Sequence, residues 1–208
     1  MMADAAASLT ARLAEALAGP GFLREPGFLA AGAVSALVAA LRVHEAAGEF
    51  QEAGVGVGAA RALRPGLRGD RTCWFEAPHV PAEDAVLESL EILRVGLNRG
   101  LMLGLETLEL HYASYGPGRF YARHLDRSPQ GIERVVTVIV YLNAGWVAGD
   151  GGELVITTPD GEVIVAPRAG TLVAFLSDQF EHEVRATRCE RLSVSGWFSR
   201  RAVAGPLC

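Results

Sequence analysis

The chain has 208 residues, and 50% of them are hydrophobic, which supplies enough apolar side chain for one core and excludes wholesale disorder. All 19 basic residues are Arg, so chemistry that needs a lysine amine, such as Schiff-base catalysis or P-loop phosphate binding, is excluded. The net charge of −5 argues against a broad surface for nucleic acid or anionic membranes, and we expect neither as a partner.

The first half of the chain carries the hydrophobic period of helices. Leu9, Leu13 and Leu17 recur every four positions, as on a short amphipathic helix. The apolar run 28–41 is too short for a membrane span and predicts a buried helix, and residues 83–100 predict another. The N-terminus lacks the basic region of an export signal, and the three cysteines lack CxxC spacing. We therefore expect a reduced, cytoplasmic protein without a thiolate zinc site.

The second half of the chain has the pattern of short strands. A Gly-rich stretch, 53–69, predicts a mobile loop that leads into a short strand at 72–75. Beyond it, β-branched and aromatic runs broken by Gly, Pro and Asp predict eight strands: 107–115, 119–126, 134–143, 153–158, 162–166, 171–176, 183–187 and 191–199. The predicted fold is α+β dominated by β, a double-stranded β-helix (a cupin-like jelly roll) with N-terminal helices packed on one sheet.

The first candidate for chemistry is the triplet His124-Leu125-Asp126. Residues two apart on a strand lie on the same face, so the imidazole and the carboxylate would converge. His182 follows 58 positions later, at the start of a late strand. Two His and one carboxylate are the ligand set of non-haem Fe(II) sites, which leave positions open for a chelating co-substrate and O₂. A catalytic zinc ion that activates water is the second interpretation.

The second candidate is Arg191, nine residues after His182. Strand alternation places Arg191, Ser193, Ser195 and Trp197 on one face. A guanidinium beside two small hydroxyl side chains leaves room for a ligand and offers a bidentate fork for a carboxylate. We therefore expect this strand to bind a small carboxylic acid.

The remaining histidines carry no comparable pattern. His44, His79 and His111 have no partners at ligand spacing along the sequence, and we assign them surface or structural roles. Cys189 lies close to Arg191 in sequence, but no pattern around it suggests a nucleophile. We therefore expect the chemistry at Arg191 and at a triad formed by His124, Asp126 and His182.

These features together resemble the 2-oxoglutarate and Fe(II)-dependent dioxygenases, in particular the prolyl 4-hydroxylase branch of bacterial and hypoxia-sensing enzymes. The resemblance extends over roughly residues 21–198 and rests on several motifs in the right order. Beside the triad and Arg191 these are Arg68-Gly69-Asp70 with Trp74, Tyr115-Gly116-Pro117-Gly118, Tyr141-Leu142-Asn143 and Gly151-Gly152-Glu153-Leu154. It implies one oxygenase domain over 1–208, with helical support and a mobile loop in 1–100 and a jelly-roll catalytic core in 101–200.

The resemblance also implies roles for individual residues. It implies three Fe(II) ligands, namely His124, Asp126 and His182. It implies that Arg191 pairs with the distal carboxylate of 2-oxoglutarate and that Tyr141 donates a hydrogen bond to it. It also implies that three residues line the co-substrate pocket, namely Tyr115, Ser195 and Trp197. It implies substrate contacts from Arg134, Arg68, Asp70 and Trp74. From the residues alone, Tyr115 and Tyr141 also fit core tyrosines, and Arg134 also fits an exposed charge at the start of a strand.

The implied reaction hydroxylates a prolyl residue of an intracellular protein to 4-hydroxyproline, with Fe(II), and consumes O₂ and 2-oxoglutarate to give succinate and CO₂. Ascorbate is a further small molecule that the resemblance implies, and we expect a monomer or weak dimer. The alternatives are a 2-oxoglutarate oxygenase for a small molecule or another side chain, a zinc hydrolase or isomerase, and a binding module without catalysis.

Overall fold

The computed structural model describes residues 2–54, 62–64, 66–126 and 131–201. Its helices are α1 (Met2–Ala18), α2 (Ala31–Ala46) and α3 (Pro81–Leu101). They correspond to the three helical patterns of the sequence. Part of the predicted mobile loop, at 55–61 and 65, lies outside the described residues. Within the described ranges no helix combines the length and the apolar character needed to cross a membrane.

The described residues form eleven strands in two antiparallel sheets. The strands are β1 (Phe22–Glu25), β2 (Gln51–Glu52), β3 (Arg71–Trp74), β4 (Thr107–Tyr115), β5 (Tyr121–His124), β6 (Ile132–Tyr141), β7 (Leu154–Thr158), β8 (Gly161–Val165), β9 (Leu172–Leu176), β10 (His182–Val184) and β11 (Arg191–Arg201). The larger sheet has the order β1-β9-β6-β11-β4-β3-β2, and the smaller one the order β5-β10-β7-β8. The eight predicted strands correspond to β4 through β11, four in each sheet, and the jelly-roll prediction is confirmed.

Two short strands and some boundaries differ from the prediction. Strands β1 and β2 were not expected. The sequence of β1, Phe22–Glu25, does not alternate between apolar and polar residues, and β2 has only two residues. Both extend the larger sheet at its edges. The boundary at 119–126 is wrong, since the strand ends at His124 and Asp126 lies beyond it.

The helices pack on one face of the larger sheet, as predicted. Each contributes a leucine stripe, and Leu13, Leu41 and Leu90 have no exposed surface. Opposite them, β4 and β11 contribute Tyr112 and Phe198 to the same apolar cluster. Burial of one such leucine stabilises the fold by about 2 kcal/mol. A second apolar cluster lies between the two sheets, and the candidate site opens beside it.

Candidate active site

The pairing of β5 with β10 brings the predicted triad together. His124 and His182 are partners in the register of these strands. Asp126 follows β5 by two residues, and its carboxylate oxygens lie 3.7 Å from Nε2 of His124 and 3.7 Å from Nε2 of His182. One donor atom from each residue lies within 4.8 Å of the other two. The three donors therefore face a common point.

Main-chain carbonyls orient both imidazoles. Nδ1 of His124 lies 2.8 Å from the carbonyl oxygen of Ala122, and Nδ1 of His182 lies 3.1 Å from that of Phe180. A carbonyl oxygen only accepts, so each Nδ1 carries the proton and donates it. In a neutral ring that donates through Nδ1, Nε2 presents its lone pair to the common point, which is the tautomer that a metal ligand requires.

The carboxylate of Asp126 is held from behind by a hydroxyl. Oγ1 of Thr137 donates to Oδ2 of Asp126 at 2.7 Å and lies 2.9 Å from Oγ of Ser177. Burial raises the pKa of Asp126, but the contacts with His124 and His182 outweigh burial and hold it well below its usual range. Sequence reasoning missed Thr137, although a single Thr inside the apolar run of β6 is a signal that could have identified it.

This donor set fits a divalent iron ion. Two imidazole nitrogens and one carboxylate give a donor set that suits a divalent cation. The three residues line one cavity, together with Ile139, Leu154 and Val184. Fe(II) takes such a facial set and keeps positions for further ligands.

Arg191 lies in the same cavity as the triad. It begins β11 and is 2% exposed. Nε donates to the carbonyl oxygen of Gly152 at 2.8 Å, and Nη1 lies 3.5 Å from Oγ of Ser193. A side chain at Gly152 would place its Cβ 3.0 Å from Cδ of Arg191, so a glycine is needed for this close approach. Among the described residues Nη2 has no hydrogen-bond partner, and no carboxylate lies within 4.0 Å of the guanidinium.

A buried guanidinium without a counter-charge is expensive, because removing an ion from water costs several kcal/mol unless it is paired. An anionic ligand would remove that cost. Tyr141 offers a second donor, since its hydroxyl is buried and has no hydrogen-bond partner in the described part of the chain. The Cζ atom of Arg191 lies 5.2 Å from the ring centre of Tyr141 and 5.0 Å from that of Tyr115. The arrangement fits the distal carboxylate of a short dicarboxylic acid that also reaches the triad.

Four side chains form a stack beside the cavity. Cζ of Arg134 lies 3.4 Å from the ring centre of Trp197, whose ring centre is 5.4 Å from that of His111. Trp74 follows at 4.8 Å from His111 and is 40% exposed. Trp197 and His111 line the cavity wall, so the stack leads from the cavity to the surface. We call these four residues the aromatic stack.

Two of the remaining histidines have contacts that their spacing in the sequence did not reveal. His111 is buried against Trp197 at the cavity, and burial lowers its pKa to about 4. The side chain of His44 lies within ligand distance of Glu49, which follows the same helix, and of Cys73 on β3. His79 lies 3.2 Å from Asp84 on a half-exposed part of the surface, in line with its expected role.

The other predicted pocket residues take different positions. Tyr115 and Ser195 line the cavity together with Trp197. Arg68 and Asp70 also line it, but Arg68 donates to both carboxylate oxygens of Asp70, at 2.7 and 2.9 Å. Their charges therefore satisfy each other, and Arg68 also lies over the ring of Tyr121, 4.7 Å from its centre. A contact of either residue with substrate stays a prediction.

Comparison with known proteins adds a family match over the part of the chain that holds the site. The model of the 2OG-Fe(II) oxygenase superfamily matches residues 110–199, which include the triad and Arg191. Two curated human proteins are similar over 141 residues, which is 64% of this chain. These are prolyl hydroxylase EGLN3, at 32% identity over 59% of its length, and Egl nine homolog 1, at 30% identity over 33% of its length. The chain thus spans 33% to 59% of these relatives.

Two solved structures share the fold over nearly the whole chain. A prolyl-4-hydroxylase from Pseudomonas putida is 41% identical, with a TM-score of 0.85 that covers 92% of this chain and 100% of that chain. A prolyl hydroxylase from Trichoplax adhaerens, solved with a peptide of the hypoxia inducible factor oxygen degradation domain, is 23% identical. Its TM-score is 0.86, and the match covers 95% of this chain and 91% of that chain.

Proposed function

The chain belongs to the prolyl-hydroxylase-type 2-oxoglutarate and Fe(II)-dependent oxygenases, and we propose that it hydroxylates a prolyl residue of an intracellular protein to 4-hydroxyproline. The observation that carries the proposal is one cavity that holds both the His124, Asp126 and His182 donors and the buried Arg191, which forms no ion pair with any described residue. Relatives named as prolyl hydroxylases, found among both sequences and structures, favour proline as the target. The family resemblance in the sequence motifs is confirmed.

The cavity residues would have three roles: to bind the metal ion, to bind 2-oxoglutarate and to exclude water. His124, Asp126 and His182 would hold Fe(II), and Arg191 and Tyr141 would hold the distal carboxylate of 2-oxoglutarate. With these bound, the site supplies oxidising chemistry in which O₂ and 2-oxoglutarate are consumed, succinate and CO₂ are released, and a substrate C–H bond is hydroxylated. The protein's own contribution is orientation and the exclusion of water. The apolar walls of Ile139, Leu154 and Val184 serve the second purpose.

The aromatic stack is where we propose that the prolyl substrate binds. Trp74 exposes 40% of its surface beside the cavity, and a flat aromatic face packs well against a pyrrolidine ring. Arg134, at the opposite end of the stack from Trp74, adds a positive charge beside Trp197, which lines the cavity. Both features favour an extended polypeptide over a small molecule that the cavity would enclose completely.

We also propose that residues 1–208 act as one oxygenase domain in the cytoplasm, as a monomer or weak dimer, with ascorbate as a further small molecule. The helices and the larger sheet share one apolar cluster, which supports a single domain. Cys73 and Cys189 are free thiols in the structure, which suits a reducing compartment. A polypeptide partner, with neither nucleic acid nor membrane, agrees with the net charge of −5.

The direct test is a peptide screen. The purified protein is supplied with Fe(II), 2-oxoglutarate, ascorbate and air, and is offered proline-containing peptides from proteins of the host. We expect some peptides to stimulate succinate formation and to gain one oxygen atom on a proline, located by tandem mass spectrometry. Each responding peptide is repeated with that proline replaced by alanine, which should abolish both signals.

The outcome decides between the candidate reactions. Succinate formation that free amino acids stimulate and no prolyl peptide does would contradict the prolyl assignment and favour the small-molecule alternative. Turnover that persists with Zn²⁺ in the absence of O₂ would contradict oxygenase chemistry altogether. The variants His182→Ala and Arg191→Gln serve as controls, and both should be inactive with every peptide.

A further inference from the structure

A second group of potential metal ligands lies outside the cavity. His44, Glu49 and Cys73 each offer one donor atom, and the three atoms lie within 4.8 Å of one another. Cys73 belongs to the apolar cluster beneath the helices, whereas Trp74, next to it on β3, turns toward His111 and the cavity. This group, which we call the α2 cluster, therefore lies behind the larger sheet and is separate from the triad.

The end of α2 brings two of these residues together. His44 is in the last turn of the helix, and Gly48 follows with a φ of +74°, a conformation that glycine adopts without strain. The chain reverses there, and the amide of Glu49 donates to the carbonyl oxygen of His44 at 3.1 Å. The C-terminus of a helix carries partial negative charge, which favours a cation at this position.

A buried carboxylate orients His44. Nε2 of His44 lies 2.8 Å from Oε1 of Glu83, and Nδ1 lies 2.5 Å from Oε2 of Glu49. Glu83 is 2% exposed, and its other oxygen accepts from the amide of Val80 at 3.1 Å. Metal-binding histidines commonly donate their second nitrogen to a carboxylate in this way, which fixes the ring and strengthens the ligand. Glu83 is placed for that supporting role, with Nδ1 left for the ion.

A buried tyrosine hydroxyl belongs to the surroundings of the α2 cluster. Tyr112 has no exposed surface, and its hydroxyl lacks a hydrogen-bond partner among the residues that the structure describes. It is the register partner of Cys73 on β4, and its ring centre lies 5.9 Å from that of His44. Burial and the nearby Glu83 raise its pKa, so the hydroxyl keeps its proton and can donate it. A water molecule bound to a metal ion would give it a partner.

We propose that His44, Glu49 and Cys73 bind a Zn²⁺ ion, with a water molecule as the fourth ligand. Nitrogen, sulfur and carboxylate oxygen are the donors that Zn²⁺ takes, whereas Mg²⁺ and Ca²⁺ take oxygen. Ligand atoms around tetrahedral Zn²⁺ lie roughly 3.5 Å apart, so small side-chain movements suffice. Glu49 can supply most of this movement, since 53% of its side chain is exposed.

Binding requires a change of protonation. Burial, with help from Glu49 and Glu83, raises the pKa of Cys73 to about 11, so the thiol is neutral without metal. Burial lowers the pKa of His44, but its hydrogen bonds with Glu49 and Glu83 outweigh burial and raise it, so Nδ1 also carries a proton without metal. Zn²⁺ takes the thiolate and the Nδ1 lone pair, so the thiol proton and the Nδ1 proton both leave to solvent. The ion would join α2 to β3 and, through Glu83, to the start of α3. The proposal does not depend on the oxygenase function, because no triad residue takes part.

Co²⁺ is the probe that separates this site from the triad, since only a thiolate ligand gives cobalt an intense near-ultraviolet charge-transfer band. The protein for the test carries Cys189→Ser and Cys208→Ser, which leave Cys73 as its single thiol. We expect one equivalent of Co²⁺ to produce the band, and Zn²⁺ to remove it by displacement. The band should persist with His182→Ala, which disrupts the triad, and disappear with Cys73→Ser.

A milder variant covers the case in which Cys73→Ser does not fold. Glu49→Gln alters an exposed side chain and should weaken Co²⁺ binding at this site roughly tenfold or more, whereas Glu52→Gln on neighbouring β2 should leave it unchanged. The proposal fails if the starting protein shows no thiolate band, or if Glu49→Gln and Glu52→Gln bind Co²⁺ equally well.

Discussion

The guanidinium of Arg191 and the hydroxyl of Tyr141 lie on neighbouring strands of the larger sheet, and each has a buried polar atom without a hydrogen-bond partner among the described residues. Cζ of Arg191 is 5.2 Å from the ring centre of Tyr141. Two unpaired donors side by side are costly in an empty pocket and favourable around an anion. A carboxylate ligand that accepts from both groups would remove this cost, and the free energy so gained would contribute to its affinity.

The first prediction follows from this pair. Tyr141→Phe removes a buried hydroxyl that makes no hydrogen bond with the described residues, so the free protein should be as stable as the wild type or slightly more stable. The same change removes one hydrogen bond to the ligand, and 2-oxoglutarate should bind about tenfold more weakly. Thermal unfolding with and without 2-oxoglutarate measures both effects. Equal loss of stability in the two conditions would assign Tyr141 to the core alone.

The second prediction concerns the hydroxyl behind the metal site. Thr137→Val keeps the shape of the side chain but removes the donor that holds Oδ2 of Asp126. Loss of such a supporting contact typically weakens metal affinity 10- to 100-fold, and we expect a change of about that size for Fe(II). Fe(II) titration under anaerobic conditions measures it. Thr137→Ser, which keeps the hydroxyl, should bind nearly as the wild type does, and a similar loss in both variants would refute the assigned role.

The sequence predicted the parts of the site that depend on local pattern. Alternation on a strand placed the side chains of Arg191 and Ser195 on one face, and the structure has both in the cavity wall. The His-x-Asp spacing predicted that the side chains of His124 and Asp126 converge, and they do. Asp126 lies beyond the end of β5, but it follows His124 by only two residues, so its carboxylate stays close to the imidazole. Long strands such as β4, β6 and β11 were predicted because they carry long β-branched and aromatic runs.

The features that sequence analysis missed depend on contacts between distant segments. His44 meets Cys73 only because the end of α2 lies beside β3, and no local spacing records that contact. His111 was assigned a surface or structural role and not a place at the cavity, because its neighbours in the stack, Trp74 and Trp197, lie on two other strands. The pairing of Arg68 with Asp70 was also missed, although the two are only two residues apart, because the family resemblance implies a substrate contact for each.

The third prediction tests the aromatic stack as the peptide-binding surface. Trp74→Ala removes the exposed end of the stack, and the KM for a responsive prolyl peptide should rise roughly tenfold, since a well-placed aromatic contact contributes about 1 kcal/mol or more. Affinity for 2-oxoglutarate should not change, because Trp74 does not contact Arg191 or Tyr141. Trp74→Phe should restore most of the peptide affinity. Unchanged KM values in both variants would place the peptide elsewhere.

The fourth prediction concerns the pH dependence of stability. Burial, with a smaller effect from the charge of Arg68, lowers the pKa of His111 to about 4, whereas an unfolded histidine titrates near about 6.5. Between these values the unfolded state binds a proton that the folded state does not. The free energy of unfolding should therefore fall as the pH decreases from about 6.5 to about 4, and His111 should account for about 3 kcal/mol of that fall.

The variants His111→Gln and His111→Phe isolate this effect, because neither side chain titrates. Their absolute stabilities will differ, since one keeps polarity and the other keeps the ring that stacks on Trp197. Both should nevertheless show the same flatter dependence on pH in urea unfolding measured from pH 7 to pH 4. If both variants follow the wild-type slope, His111 has the same pKa in the folded and the unfolded state. In that case burial would not keep the imidazole neutral, and it would gain its positive charge near about pH 6.5.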